Sequence, residues 1–219
     1  NETKYDLIIP VGATSVKFIS NNLVRISKLV KVFISKIESI EVALNKDKTF
    51  KHAQKHSVPV PKTYNFNNLQ NLDKNKSSIE YPIIVKSSDE SLFKFDTIYI
   101  NNYFELMNAL KECNSKYPQI LEKKFPIIQE KVTGKGYGFF ALYNKGKCIT
   151  YFMHERLREY PYTGGSSTCA RSIYDKKLLK SSIKILDRLN WHGLAMLEYK
   201  KDDNSNEFKL IEINPKIWG

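Results

Sequence analysis

The stretch FKLIEIN, residues 208–214, sets one glutamate and one asparagine two residues apart in a largely apolar run. The stretch LAMLEYK, residues 194–200, has the same texture with a single glutamate, and the polar segment KDDNSNE joins the two. Polar turn residues between two apolar segments predict a β-hairpin, centred here on Ser205. Equal offsets from that centre place Glu198 directly opposite Glu212, and opposite residues share one face of a sheet.

The same alternation predicts a metal site on this hairpin. Asn214 lies two residues beyond Glu212 and faces the same way, whereas Ile211 and Ile213 are expected to face the other side. Two carboxylates ~4 Å apart would repel each other by roughly 4 kcal/mol at an effective dielectric constant of ~20, so they favour a cation or a shared proton between them. Three oxygen ligands with room for water and phosphate suit Mg²⁺. The alternative is an acidic hairpin that faces solvent.

The composition is that of an ordinary soluble globular chain. It has 219 residues, of which 42% are hydrophobic and 26% charged, which is enough for a proper core. No apolar run reaches the ~18 residues of a membrane helix, and no signal peptide is visible, so a cytoplasmic location is expected. Cys113, Cys148 and Cys169 lie far apart, which argues against a disulfide framework and a zinc site.

The net charge of +12 suggests either an anionic partner or a general bias toward lysine. Lysines spread along a chain usually form a solvated face. The sequence shows no RNA-recognition signature, no zinc-finger spacing and no convincing helix-turn-helix, so no nucleic-acid partner is expected. A basic nucleic-acid-binding protein is kept as a third hypothesis, to be tested by the salt dependence of binding.

Two lysines and a glycine-rich segment are candidates for phosphate binding. Lys86 ends the apolar run YPIIVK, and Lys48 follows Asp47 at an expected helix start, although each alone is typical of a surface lysine. The segment TGKGYG, residues 133–138, is expected to be a loop whose backbone N–H groups could cover phosphates. It is neither a Walker A motif nor a dinucleotide-binding fingerprint, because strands are expected on both sides.

Three of the five arginines fall in the stretch HERLREYPYTGGSSTCARS, namely Arg156, Arg158 and Arg171. Guanidinium groups bind planar anions in a bidentate manner, and the GGSST turn offers backbone donors and hydroxyls. One interpretation is a carboxylate or phosphate pocket for a second substrate. The other is a structural loop held by ion pairs with Glu155 and Glu159.

The rest of the chain has a coarse order of helices and strands. The patterns predict the following elements: a buried strand over 5–11, helical segments over 14–45, a helix from Asp47, a surface loop over 65–78, a strand at 81–86, a helix over 103–117, strands over 126–132, 139–144 and 147–155 with a turn at 144–146, an irregular polar stretch over 158–172, and a helix over 175–189.

Taken in order, these motifs resemble the ATP-grasp superfamily. The matching run is DK, VPVPKT, YPIIVK, IIQEKVTGKGYG, H-x-R-x-R-E, GGSST, W-x-G-x-A-M-L-E-Y and LIEINPK-x-W-G, from about Asn45 to Gly219. The nearest group is similar to the ATP-binding domain of the carbamoyl phosphate synthase large chain. The resemblance implies an α+β fold in which two lobes grip ATP, the C-terminal lobe carrying an antiparallel sheet.

The resemblance also implies site residues. The metal ligands are Glu198, Glu212 and Asn214. The nucleotide contacts are Lys48, Lys86, Gln129, Glu130, Lys131, Val132, Gly134, Gly136 and Gly138. The anion-binding or catalytic group comprises Arg156, Arg158, Arg171 and Lys216. The implied cofactors are ATP and Mg²⁺ (or Mn²⁺).

The implied activity is that of an ATP-dependent ligase, which activates a small-molecule carboxylate as an acyl phosphate for attack by an amine or another nucleophile. The alternative is a non-catalytic ATP-binding module or a fragment of a larger ligase. A homodimer is compatible with the resemblance, and no membrane partner is expected. Two departures bear on function: Lys216 stands where an arginine is common, and Lys135 stands where many members place an acid near the ribose.

The resemblance divides the chain into three parts. Residues 1–45 are expected to be the remnant of a preceding α/β domain with a linker, residues 46–125 the N-terminal lobe, and residues 126–219 the C-terminal lobe. Both ends are expected to be incomplete relative to the family.

Overall fold

A computed structural model describes residues 4–88, 95–118, 120–161 and 165–217. The chain forms two compact units. The first unit comprises Asn1–Val60 and Thr133–Gly219, and the second comprises Pro61–Val132. The described helices include none with the length and apolarity that crossing a bilayer requires.

The elements follow one another in chain order. The first part of the first unit holds β1 (Leu7–Ile8), α1 (Ala13–Asn21), α2 (Leu23–Ile26), β2 (Lys31–Val32), α3 (Ile37–Leu44) and α4 (Lys46–Lys55). The second unit holds β3 (Thr63–Tyr64), α5 (Leu69–Lys74), a 3₁₀ turn (Lys76–Ser78), β4 (Ile83–Lys86), β5 (Ile98–Ile100), α6 (Tyr103–Lys116), α7 (Ile120–Lys123) and β6 (Ile127–Glu130). The rest of the first unit is β7 (Gly136–Asn144), β8 (Lys147–Tyr160), β9 (Ser166–Ser172), α8 (Lys176–Arg188), β10 (Gly193–Lys201) and β11 (Phe208–Asn214).

The first unit is built around a five-stranded antiparallel sheet with the strand order β11-β10-β7-β8-β9. Because side chains alternate along a strand, Phe139 and Tyr143 of β7 and Leu197 and Tyr199 of β10 all point into one core and are fully buried. Helix α8 contributes to the same core, and the Asp175 carboxylate caps its first turn. The intervening residues of β7 and β10 therefore form the opposite face of the sheet.

Helix α4 and the residues after it belong to the first unit. Ala53 and Val58 are buried in its core, and the Leu210 backbone N–H donates a 2.8 Å hydrogen bond to the Pro59 carbonyl. These contacts attach residues 46–60 to the sheet of the first unit. The expected lobe limits at residues 46 and 126, and the assignment of residues 1–45 to a preceding domain, stay predictions.

The second unit has its own sheet and core. Its strand order is β3-β6-β4-β5, with every neighbouring pair antiparallel. Leu106 and Leu110 of α6 pack with Ile83, Val85 and Ile128 of the sheet. Within each unit, helices and antiparallel strands are mixed, so the expected α+β class is confirmed.

Several predicted elements are confirmed with small shifts in their ends. These are the helices at 46–55, 103–116 and 176–188, the strands at 83–86, 127–130, 193–201 and 208–214, and the hairpin turn between Asn144 and Lys147. In each of these segments the apolar period agrees with the element that the structure contains.

Other expectations are wrong, each for a physical reason. The surface loop expected over 65–78 contains α5, because the Asn68 side chain caps it and Leu72 is fully buried. The strand expected over 5–11 pairs only at Leu7–Ile8, and the Leu7 side chain is exposed rather than buried.

The expected irregular stretch over 158–172 is also wrong. It contains the end of β8 and all of β9, which pair with each other through backbone hydrogen bonds that do not depend on apolar side chains. Residues 162–164, which include part of the expected GGSST turn, lie outside the described residues.

A β-bulge changes which residues of β11 face the core. The pairing with β10 shifts between Glu198 and Tyr199, because Glu198 pairs with Glu212 whereas Tyr199 pairs with Leu210. Ile211 is therefore the extra residue, and Leu210 and Ile213 are buried in the core instead of Ile211 and Ile213. The expectation for Ile211 is wrong because a strict period of two does not survive the bulge.

Candidate functional site

The two hairpin carboxylates lie opposite each other, as the sequence predicts. Glu198 of β10 pairs with Glu212 of β11, Glu198 also pairs with Gly138 of β7, and Gly138 pairs with His154 of β8. The four residues therefore form one row across the sheet, on the face opposite the core. We call this face the carboxylate face.

Glycine is required in this row because His154 lies over it. A Cβ at Gly138 would be 2.6 Å from His154 Nε2 and 2.7 Å from the Phe140 ring, closer than any van der Waals contact allows. Burial, together with the nearby Arg156 charge, lowers the pKa of His154. Gly136 and Gly138 lie within β7, so the expected loop over 133–138 is confined to residues 133–135.

Arg156 of β8 neutralises Glu198. Its Nη1 lies 2.6 Å from Glu198 Oε1 and 3.3 Å from Glu159 Oε1, and its side chain is 9% exposed. The side chain passes over Gly136, where a Cβ would be 2.9 Å from Arg156 Cδ and 2.7 Å from Glu159 Oε1. The glycine at 136 thus provides the space in which this ion pair forms.

Glu212 has two partners of its own. Asn214 Nδ2 donates a 2.7 Å hydrogen bond to Glu212 Oε1, and Lys46 Nζ lies 3.9 Å from Glu212 Oε2. The predicted placement of Asn214 beside Glu212 is therefore confirmed. Lys46 is the first residue of α4, and the preceding Asn45 caps that helix by accepting a 3.0 Å hydrogen bond from the Lys48 N–H.

The electrostatics of the pair favour a cation. Burial, and then the negative charge of Glu212, raise the pKa of Glu198, while Arg156 opposes that rise. No cluster of three His, Cys, Asp or Glu side chains suitable for a metal exists among the described residues. A metal at this place would therefore use two carboxylates and the Asn214 amide oxygen, an all-oxygen donor set that fits Mg²⁺.

The structure separates Lys48 from this pair. Lys48 Nζ lies 2.7 Å from Glu41 Oε2, and both side chains are half exposed. Lys46, which the sequence analysis did not select, is the lysine of this helix that reaches Glu212. The N-cap residue Asn45 was the available signal, because it places the first turn of α4 at Lys46.

The three arginines have different environments. Arg156 lies on the carboxylate face. Arg171 Nη2 instead pairs with Glu155 Oε2. Arg158 is exposed and pairs with Cys169 of the neighbouring strand β9. The ion pairs that the alternative interpretation expected, Arg171 with Glu155 and Arg156 with Glu159, are thus present. Lys216 follows β11 and is partly buried.

Lys135 also has a defined partner. Its Nζ lies 2.7 Å from Glu155 Oε1, and the Glu155 side chain is only 6% exposed. The hydrogen bonds from Lys135 and Arg171 lower the pKa of Glu155. Lys135, at the end of the 133–135 loop, is therefore attached to β8.

We expect Glu155→Gln to lower the free energy of unfolding at about pH 7 by about 2 kcal/mol, because two charge-assisted hydrogen bonds to a buried carboxylate are lost. Because the pKa of Glu155 is lower in the folded than in the unfolded protein, its ionised carboxylate stabilises the fold at pH values above the ordinary pKa of 4.5. This contribution is lost as the pH falls through the folded-state pKa. Urea unfolding of both proteins at about pH 7 and about pH 4 should therefore show a difference that shrinks with acid.

Glu41→Gln is the matched control, because it removes an exposed ion pair with Lys48 and should change stability by less than about 0.5 kcal/mol. A Glu155→Gln difference that is the same at both pH values would contradict the assignment.

The remaining nucleotide candidates lie in the second unit. Lys86 is buried at the end of β4. Gln129 is buried and donates a 2.8 Å hydrogen bond to Thr63 Oγ1, and Glu130 Oε1 accepts a 2.8 Å hydrogen bond from the Lys62 N–H. The Lys131 N–H donates a 3.1 Å hydrogen bond to the Pro82 carbonyl.

Gln129, Glu130 and Lys131 thus form hydrogen bonds that stabilise the sheet of the second unit. Val132, the final member of the set, is buried.

Comparisons with solved structures identify the fold. A biotin carboxylase from Campylobacter jejuni, solved as a beta-gamma-ATP complex, matches with a TM-score of 0.77 and 16% identity, over 97% of this chain and 49% of that chain. The VanG D-Ala:D-Ser ligase from Enterococcus faecalis matches with a TM-score of 0.70 and 18% identity, over 98% of this chain and 65% of that chain. The chain has the ATP-grasp fold, so the fold that its motifs predict is confirmed.

Among curated proteins, the chain is similar to the mitochondrial arginine-specific large chain of carbamoyl phosphate synthase from Neurospora crassa. The two are 24% identical over 198 residues, which is 86% of this chain and 16% of the relative. The chain thus spans only 16% of the length of this curated relative. No protein-family model matches the sequence.

Proposed function

We propose that this chain is the ATP-binding region of an ATP- and Mg²⁺-dependent ligase that activates a carboxylate as an acyl phosphate. The observation that carries the proposal is the Glu198–Glu212 pair with Asn214 beside it, on an ATP-grasp fold. The biotin carboxylase neighbour was solved with a nucleotide, and the curated relative is a carbamoyl phosphate synthase, which supports the same class of chemistry.

Glu198, Glu212 and Asn214 would hold the metal. Bound Mg²⁺ would offset the negative charge of the phosphoryl group that is transferred. The residues of the chain contribute positioning and charge, since phosphoryl transfer depends mainly on these two effects. Arg156 and Lys46 supply positive charge on the carboxylate face, and Lys48 and Lys86 are the other proposed phosphate contacts.

The proposed reaction has two steps. An oxygen of the acid substrate bonds to the γ-phosphorus of ATP while the bond from that phosphorus to the β–γ bridging oxygen breaks, which yields an acyl phosphate and ADP. The nucleophile, an amine in the simplest case, then bonds to the acyl carbon, phosphate leaves, and the nitrogen loses a proton. The partners of the chain are therefore a small acid and a small nucleophile.

The first test is a thermal-shift titration with ATP, with and without Mg²⁺. A ligand that binds only the folded state raises stability by about 2.7 kcal/mol at one hundred times its dissociation constant. We expect a rise that requires Mg²⁺, followed by ADP release that requires a carboxylate in a substrate screen. No shift at millimolar ATP would reject the proposal, and binding without ADP release for any acid would favour a non-catalytic nucleotide-binding module.

A further inference from the structure

Each carboxylate of the facing pair already carries its own basic side chain. Arg156 Nη1 lies 2.6 Å from Glu198 Oε1, and Lys46 Nζ lies 3.9 Å from Glu212 Oε2. The two basic side chains are largely buried, with exposed fractions of 9% and 16%. Two positive charges thus lie beside Glu198 and Glu212 on one small area of the carboxylate face, and Glu159 adds a third carboxylate beside Arg156.

This arrangement is specific rather than a chance surface contact. Arg156 can reach Glu198 because the strand between them has glycine at 136, and any side chain there would overlap Arg156. Lys46 stands at the first position of α4, where the Asn45 cap fixes the start of the helix. Two separate local features therefore deliver a cation to each carboxylate.

A metal and these cations would compete for the same negative charges. Arg156 Nη1, 2.6 Å from Glu198 Oε1, would repel a divalent cation bound to the same carboxylate, so each of the two cations weakens the binding of the other. Glu159 Oε1, 3.3 Å from the same Nη1, is a second acceptor to which Arg156 can remain attached. A divalent cation would change the formal charge of this group, which comprises the three carboxylates, Arg156 and Lys46, from −1 to +1, and an anionic phosphoryl group would balance that charge.

We propose that Arg156 and Lys46 are exchangeable counter-ions: they neutralise Glu198 and Glu212 before loading, and they bind anionic oxygens of the nucleotide or acyl phosphate once a divalent cation has replaced them. The proposal rests on the proposed function and extends it to Lys46. Arg156 and Lys46 act as positioning residues that offset the charges of Glu198 and Glu212 before loading and supply positive charge when the anion arrives.

The test uses two binding measurements on Arg156→Gln and Lys46→Gln. Binding of Mn²⁺ alone is followed by the EPR signal of the free ion, and binding of Mg·ATP by calorimetry. Without a competing cation, Mn²⁺ alone should bind about three- to tenfold more tightly, while Mg·ATP should bind about tenfold more weakly, because a charge-assisted contact is lost. The opposite signs are the signature of exchange.

Lys180→Gln on α8 is the control, because it removes the same charge from an exposed position and should change neither constant. If Arg156→Gln does not fold, Lys46→Gln and the charge-preserving Arg156→Lys carry the test, with Mn²⁺ affinity close to wild type expected for Arg156→Lys. Variants that shift both constants in the same direction would overturn the exchange and leave the proposed function standing. A wild type that binds no Mg·ATP would overturn both.

Discussion

Glu212→Gln is expected to abolish the Mg²⁺-dependent stabilisation by ATP and to lower carboxylate-dependent ADP release by about 100- to 1000-fold. The amide has nearly the same shape as the carboxylate but carries no charge, so it binds a divalent cation poorly. Its oxygen can still accept the hydrogen bond from Asn214, but its NH2 group replaces Oε2, the oxygen that lies 3.9 Å from Lys46 Nζ. The measurements are thermal-shift titration with ATP and an ADP-release assay with a substrate found in the screen.

The matched control is Glu207→Gln, which makes the same change in the turn of the same hairpin. Glu207 is exposed, and its backbone carbonyl accepts a hydrogen bond from the Asp202 N–H. We expect wild-type behaviour from this variant. Retained Mg²⁺-dependent ATP binding in Glu212→Gln would contradict the metal site, and equal losses in both variants would attribute the effect to net charge.

Gly134→Ala is expected to lower the free energy of unfolding by about 3 kcal/mol or more. Gly134 has a φ of +123°, and a Cβ there would be 2.0 Å from the Lys201 backbone carbonyl oxygen. The residues on either side of Gly134 both accept backbone hydrogen bonds. The Lys135 carbonyl accepts one of 3.0 Å from the Lys201 N–H, and the Thr133 carbonyl accepts one of 3.0 Å from the Asp203 N–H. The methyl group would therefore force this loop away from the β10–β11 turn. Urea unfolding measures the change.

Gly12→Ala separates backbone strain from overlap. Gly12 also has a positive φ, +96°, but among the described residues no atom beyond its own chain neighbours lies within 4 Å of its Cβ position. Strain alone should cost about 1 kcal/mol. If the two variants lose the same stability, the overlap at Gly134 is relieved by movement of the backbone and the expectation for that residue is wrong.

The sequence predicted the facing pair because a polar turn between two apolar segments indicates a hairpin. The pairs next to the turn, such as Lys201 with Phe208, are centred between Asn204 and Ser205, and the bulge at Ile211 adds the one residue that brings Glu212 opposite Glu198. Asn214 follows by strand alternation. The helices and most strands were predictable for the same reason, since their apolar period is carried by neighbouring residues.

The sequence-based prediction missed elements that are held by backbone pairing or by a polar cap and lack an apolar period. Strand β9 consists mainly of small polar residues and is recognisable only through its pairing with β8. Helix α5 lies in an asparagine-rich run, and its cap and the burial of Leu72 outweigh the polar composition. The bulge at Ile211 depends on how β11 pairs with β10, which no period reveals.

The amino-acid sequence by itself determined the hairpin and the alternation that places Asn214 beside Glu212, because turn chemistry and strand periodicity act over a few residues. Only the tertiary structure decided the bulge that aligns Glu212 with Glu198 and the cations that neutralise these two carboxylates. Arg156 lies 42 residues before Glu198 and reaches it across Gly136, and Lys46 comes from a helix near the start of the chain. The Coulomb energy of an ion pair depends on the distance between its charged atoms in the folded protein. It does not depend on how far apart the two residues are along the chain.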